Sequence, residues 1–381
     1  MDRPACETAT IETREHQAVD HSPSQTVDRS APKKRKEPYY KQYVEPSEFP
    51  NEFDGVWARP FEKVNKPLPC FPAEPNWRDL QTTHTDHGLL FLKTYKAGSS
   101  TASGIHLRLA RNQARRQSVD ADLCQVRYDH AWAAHLFWNV KKDKSFLWTI
   151  VRDPTQRLVS QFFHFEVSRE KTEPSDAAFV EYVRRPHMIG MNSNYYMDAL
   201  PIRPSDVPAD RLNSVLDDYN FIAVTERMDE SAVALSMVAG IPLADVLYLK
   251  AKGHGGFDDG GGRDEVVCTY IWPSFVTPGM EEYFQTDEFQ DRVRWDHALY
   301  QAANRSLDLT IEKLGREEFE RKLALYRAAQ ARVHDECLDE TVFPCSAGGD
   351  YTPPDQTDCM WNDSACGMDC LDRVATELDL W

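Results

Sequence analysis

The sequence predicts an α/β protein, with a central parallel β-sheet flanked by helices on both faces. Three short runs are almost wholly apolar: residues 88–95 (GLLFLKTY), 145–151 (SFLWTIV) and 221–225 (FIAVT). Runs this short, without polar alternation, read as strands buried in a sheet interior. Stretches with helical texture follow them, at 101–116, 155–170 and 229–239. Weaker strands are expected at 124–130 and 246–249, and the region 277–333 is expected to be helical. No internal repeat is present.

Composition narrows the function classes. The 381 residues carry 44 Lys and Arg against 61 Asp and Glu, a net charge of −17, and 41% are hydrophobic. That hydrophobic content excludes wholesale disorder. The acidic balance argues against a dedicated nucleic-acid binder, which needs a basic face. No apolar run reaches the roughly 18 residues of a membrane span, and no signal-peptide core opens the chain, so no anchor is expected within this chain, which either starts downstream of one or belongs to a protein that never had one. The charge is uneven. Residues 335–381 hold twelve acidic side chains and one basic one, a net of −11, so the rest carries only −6. An anion-binding pocket in mid-chain is compatible with that distribution.

Three regions are expected. Residues 1–60, rich in Ser, Thr, Pro and charge, read as a disordered arm or stem. Residues 61–335 form the folded domain, and 336–381 an acidic, Cys-rich tail. In the arm, PKKRKEP at 32–38 resembles a nuclear import signal, with a solvated basic run as the plainer alternative. The tail holds Cys337, Cys345, Cys359, Cys366 and Cys370. Their spacing lacks the paired Cys-x-x-Cys of zinc clusters, so disulfides in an oxidising compartment are expected. Sequons at Asn304 and Asn362 fit the same compartment.

Two motifs carry chemistry. In FLKTYKAGSST (91–101) a loop of small residues joins a buried strand to a helix N-terminus. Backbone N–H groups and the helix dipole converge there on a phosphate. Gly98 permits close approach, Ser99, Ser100 and Thr101 offer hydroxyls, and Lys96 supplies full charge. The spacing is not that of a Walker A loop. In IVRDPTQRLVS (150–160), Arg152 ends a strand and Ser160 lies eight residues on, in the next helix. In a parallel sheet both motifs would face the crevice at the C-terminal strand ends. An Arg fork with a hydroxyl suits a second phosphate.

Together the motifs resemble the sulfotransferases that use 3′-phosphoadenosine-5′-phosphosulfate (PAPS), whose fold is P-loop-like. In that family a K-x-G-[ST]-[ST] loop binds the 5′-phosphosulfate and R-x(7)-S binds the 3′-phosphate; the matching residues are Lys96, Gly98, Ser99 and Ser100, then Arg152 and Ser160. FLKTYKAGSST further resembles the F-x-K-T-H-K-[TA]-[GS]-S-S-T signature of the galactose-3-O-sulfotransferases, Golgi enzymes that sulfate galactose on glycolipids and glycoproteins, with Tyr95 standing where that family has His. The segments 219–231 and 245–250 are also similar, so the likeness runs from about 86 to 315.

The resemblance implies sulfuryl transfer from PAPS to a carbohydrate or other hydroxyl acceptor, without a metal. Lys93, Thr94, Lys96, Ala97, Gly98, Ser99, Ser100, Thr101, Arg152 and Ser160 are the expected cofactor-binding residues, with Lys96 also on the bridging oxygen. His130, with His135 in reserve, is expected to take the acceptor's proton, since an imidazole near pKa 6.5 suits that task. His164 reads as packing or ligand contact, and Glu166 is a further carboxylate candidate. Tyr195 and Tyr196 are candidates for stacking on a sugar, with a core role for one of them as the equal alternative. The glycine-rich run 253–262 reads as a surface insertion or a lid. Location follows the family, in the Golgi lumen or secretory pathway, with the cytoplasm as the alternative. The rival functions are a soluble sulfotransferase for small alcohols, sterols or phenols, and a non-catalytic nuclear or scaffold protein.

Overall fold

The computed structural model describes residues 50–73, 86–119, 122–130, 132–186, 191–252, 256–258 and 268–381. The basic run at 32–38, the arm up to residue 49 and most of the glycine-rich run lie outside them. Residues 50–60, counted with the arm in the sequence reading, are instead structured. A tight hairpin pairs β1 (Glu52–Phe53) with β2 (Val56–Trp57). Asp54 and Gly55 turn it at positive φ, and fully buried Val56 anchors it. One apolar anchor among polar residues leaves no periodic trace.

The chain then builds the sheet: β3 (Gly88–Leu92), α1 (Ser99–Gln117), β4 (Val126–Asp129), α2 (Ala133–Phe137), β5 (Ser145–Val151), α3 (Pro154–Phe162), α4 (Asp176–Arg184), α5 (Tyr195–Ala199), α6 (Pro208–Asp218), β6 (Phe221–Val224) and α7 (Met228–Ala239). Among the described residues the sheet has four strands, all parallel, in the order β4-β3-β5-β6. Phe91 of β3 lies in register with Tyr128 on one side and Trp148 on the other. Every residue of β3, β5 and β6 is buried, whichever face it points to, so both faces are covered. Each crossover carries a helix, as parallel strands require.

The expected strand at 246–249 does not form. Residues 243–246 make a short 3₁₀ turn, and helix side chains take the place of ladder partners. The Tyr326 hydroxyl donates to the Val246 carbonyl at 2.8 Å, and the Gln330 amide bonds both backbone groups of Tyr248. An apolar run can satisfy its backbone in this way without joining a sheet.

Next come β7 (Phe257–Asp258) and β8 (Thr269–Tyr270), an antiparallel pair. The helical region expected at 277–333 is three helices: α8 (Pro278–Phe284), α9 (Asp287–Leu314) and α10 (Arg316–Arg332). Thr286 caps α9 through its side chain, and Gly315, at φ 98°, separates α9 from α10. The chain ends with α11 (Leu338–Glu340), the hairpin β9 (Cys359–Trp361) and β10 (Ser364–Cys366), and α12 (Met368–Glu377).

Packing does not stop at residue 336. Leu371, Val374, Ala375 and Leu380 belong to the same core as the sheet. The tail's acidity also has a local use. Asp372 pairs with buried Arg108 at 2.8 Å and with Arg111 at 3.0 Å, neutralising cations that α1 carries into the interior. Among the described residues four disulfides form: Cys70–Cys124, Cys268–Cys345, Cys337–Cys370 and Cys359–Cys366. The odd tail cysteine, Cys345, therefore finds its partner outside the tail. Of the two sequon asparagines, Asn304 is half-buried and Asn362 is exposed. The Asn304 side chain accepts from Arg227 at 2.8 Å, and Asn362 lines the cavity described next.

Candidate functional site

At the C-terminal edge of the sheet the chain leaves β3 and turns into α1. Lys96 and Gly98 both adopt left-handed φ, 57° and 69°, in a loop that ends as the N-cap of α1. Successive peptide N–H groups in such a turn point into one concavity, a receptor for anions. Gly98 is required twice over, because a Cβ there would meet Thr225 Cγ2 at 3.2 Å as well as strain the backbone.

The loop is braced from below. Thr94 Oγ1 donates to the Ile150 carbonyl at 2.6 Å, and Ser99 Oγ donates to the Thr94 carbonyl at 2.5 Å. Thr225 Oγ1 bridges the carbonyls of Ala97, at 2.7 Å, and Val151, at 2.9 Å. Thr94 and Ala97, expected among the cofactor-binding residues, are fully buried and do not line the cavity; they hold the loop in place.

The second motif lies directly against the first. Arg152 follows β5, and its Nη1 donates to the Lys96 carbonyl at 3.2 Å. Asp153 caps α3 by accepting from Gln156 N, with Pro154 in the first turn. Buried Tyr196 clamps the Arg152 backbone: its hydroxyl takes the N–H at 2.8 Å and donates to the carbonyl at 3.0 Å. The Tyr195 hydroxyl accepts from Tyr95 N at 3.1 Å. Neither tyrosine offers a face for a sugar, since both pack in the core against Arg157. Exposed aromatics stand instead at Tyr270 and Trp272, on the segment running out from β8.

A cavity of about 520 Å³ opens above this edge and is lined by Lys93, Lys96, Gly98, Ser99, Ser100, Thr101, His130, Arg152 and Ser160. Sequence reading did not single out its other polar walls as site residues: Arg169, Lys250, Lys252, Asp258, Asn362 and Asp363. They come from chain segments with no common motif. A larger cavity, about 680 Å³, lies behind α1 against the tail, contains none of the loop residues, and has its arginines paired with Asp369 and Asp372.

Charge distinguishes the site. Lys93, Lys96, Arg152, Arg169, Lys250 and Lys252 line the cavity against the carboxylates of Asp258 and Asp363. In a chain of net charge −17 this is a strong local reversal. Burial, reinforced by the Lys252 cation, pushes the Lys96 ammonium down to about 7. Asp258 is held by Arg169 at 2.7 Å and Lys252 at 3.2 Å, with His164 Nε2 at 3.4 Å. Burial opposes its ionisation, but Lys252, His164 and Arg169 together keep its carboxyl well below the usual range. His164 is lowered to about 2, by burial first and then by Lys96.

His130 sits at the end of β4 with Nδ1 2.8 Å from the Lys93 carbonyl. A carbonyl only accepts, so Nδ1 carries the proton and Nε2 is the basic nitrogen. The ring stacks on Tyr95, centroids 4.1 Å apart and 14° from parallel. Burial, then the Lys93 cation, lowers its pKa well below 6.5 and keeps the imidazole neutral. His135 is exposed on α2, outside the cavity lining, and Glu166 pairs with Arg185 at 3.1 Å, also outside it.

This arrangement can bind a ligand with two anionic groups, one on the Lys96 loop and one at Arg152, beside a neutral base. Residues 81–244, which contain both motifs and all four sheet strands, match the model of the sulfotransferase family. No curated protein and no solved structure matches the chain. The match spans less than half of the chain. It supports general membership of the sulfotransferase superfamily and, with it, PAPS-dependent sulfuryl transfer in general.

Proposed function

We propose that the protein transfers a sulfuryl group from PAPS to a hydroxyl of a carbohydrate, of the galactose type found on glycolipids and glycans. One observation carries the reading: the Lys96 loop and Arg152 touch within a single cationic cavity. Loop N–H groups with the hydroxyls of Ser100 and Thr101 take the 5′-phosphosulfate, while Arg152 and Ser160 take the 3′-phosphate. The Ser99 hydroxyl proton is committed to Thr94, so Ser99 serves through its backbone.

In the reaction the acceptor oxygen attacks sulfur and forms the new S–O bond. The bond from sulfur to the 5′-phosphate oxygen breaks, and adenosine 3′,5′-bisphosphate leaves. The acceptor proton passes to His130 Nε2. Lys96 neutralises charge on the departing bridging oxygen, where a preorganised cation acts most strongly. Lys93 lines the same cavity and is assigned to bind either PAPS or the acceptor. The flat faces of Tyr270 and Trp272, beside the Asp258 wall, suit a pyranose ring. Four disulfides suit the oxidising lumen of the secretory pathway.

Calorimetric titration with adenosine 3′,5′-bisphosphate, followed by an acceptor panel with labelled PAPS, tests this reading. No heat with the bisphosphate, or product only with hydrophobic alcohols, would reject it or its carbohydrate part respectively. Arg152→Ala is expected to weaken bisphosphate binding about 10- to 100-fold, the worth of charge-assisted hydrogen bonds. Affinity is also expected to depend on pH. The empty-site Lys96 ammonium is present below about pH 7 and lost above it. Binding an anion restores the proton, so affinity weakens by up to about tenfold per unit as pH rises above about 7. Titrations across that range check the slope, which Lys96→Ala should remove.

A further inference from the structure

The disulfide-stapled C-terminal hairpin forms part of the cavity wall. Asn362 and Asp363 make its turn, with Asn362 at φ 44° as a two-residue hairpin loop requires, and Cys359–Cys366 ties the strands at the open end. The hairpin is seated on the first turns of α1. Ser364 Oγ lies 3.0 Å from Ser103 Oγ and donates to the Ser100 carbonyl at 3.2 Å. Gly104 makes the approach feasible, since a Cβ there would stand 2.9 Å from Ala365 N. Trp361 meets Tyr128 of β4 edge-on, centroids 6.4 Å apart. That contact seats the hairpin beside β4, the strand that carries His130, while Lys252 Nζ links Asp363, at 3.6 Å, to Asp258, at 3.2 Å.

Asp363 is out of place in an anion receptor. Its buried Oδ2 is ion-paired with Lys252 Nζ at 3.6 Å but accepts no hydrogen bond among the described residues. A carboxylate repels phosphate and sulfuryl oxygens, so the nucleotide's anionic groups cannot satisfy it. A neutral donor can, and a buried acceptor atom left unmet is costly enough to select for one. Two hydroxyl sources enter a sulfotransferase site, the acceptor and the nucleotide's ribose. The β4-side position beside His130 favours the acceptor.

We propose that the Asn362–Asp363 turn is an acceptor-recognition element in which the Asp363 carboxylate accepts a hydrogen bond from a non-reacting acceptor hydroxyl. This rests on the sulfotransferase reading above. The test is calorimetric titration of lactose into protein saturated with adenosine 3′,5′-bisphosphate, for wild type, Asp363→Ala and Asp363→Asn, with thermal unfolding as the fold control. Asp363→Ala should weaken lactose binding by about tenfold or more, and Asp363→Asn, which keeps an accepting oxygen, by less. Nucleotide affinity should not fall. Unchanged lactose affinity in both variants overturns the proposal, as does loss of nucleotide affinity instead, which would assign the hydroxyl to ribose. Wild type that binds the nucleotide but not lactose also overturns it. Wild type that binds no nucleotide sinks the sulfotransferase reading itself.

Discussion

Lys96→Ala is expected to lower kcat by about a thousandfold while nucleotide affinity at neutral pH falls far less. The asymmetry follows from what the side chain does. In the ground state the phosphosulfate is shared among loop N–H groups, hydroxyls and several neighbouring cations, with Arg152 and Ser160 holding the other end. Removing one of these cations weakens binding but leaves the receptor standing. In the transition state, charge accumulates on the bridging oxygen, and the proposal gives that atom to Lys96. The site has also kept the ammonium desolvated: burial and the Lys252 cation bring it down to about 7, and an incoming anion restores it. Stopped-flow or steady-state kinetics with calorimetry on the same variant separate the two effects. Equal losses in kcat and in bisphosphate affinity would refute the assignment.

His130→Ala is expected to cost about 100- to 10,000-fold in kcat, the usual worth of a positioned general base. His135→Ala, on the exposed face of α2, should leave the rate near wild type. The pH profile gives a second check. A general base works when deprotonated, so rate is lost as pH falls through its pKa. Burial and Lys93 hold His130 well below 6.5, so the acid limb of kcat/KM, which reports the free enzyme, belongs well below 6.5. A limb at or above 6.5, surviving in His130→Ala, would point to a different base. Tyr95 contributes by stacking on the ring and thereby fixing its plane.

Much of the site was legible because its parts are local. The Lys96 loop and the Arg152 helix start are each one contiguous strand–loop–helix unit, and a parallel sheet must deliver such units to the same edge. Gly98 could be anticipated for the same reason, since a left-handed N-cap leaves a fingerprint in a single residue. Arg169, Lys252, Asp258 and Asp363 were not legible as partners. They lie on a widened helical turn, an irregular run, a two-residue strand and the tail hairpin, and nothing in their spacing links them. Tyr195 and Tyr196 show the converse error: a pair of aromatics in a substrate-side segment proved to be the brace beneath Tyr95 and Arg152.

The apolar runs and small-residue loops alone determined the sheet core, its parallel sense and the two loops at its C-terminal edge, because burial and backbone geometry act on neighbours along the chain. Only the tertiary structure decided that 246–249 stays out of the sheet, that the acidic tail neutralises the α1 arginines, and that its stapled hairpin closes one side of the cavity. Those outcomes depend on which distant groups meet in space to satisfy a carbonyl or a charge. No periodicity or spacing within a segment records such meetings.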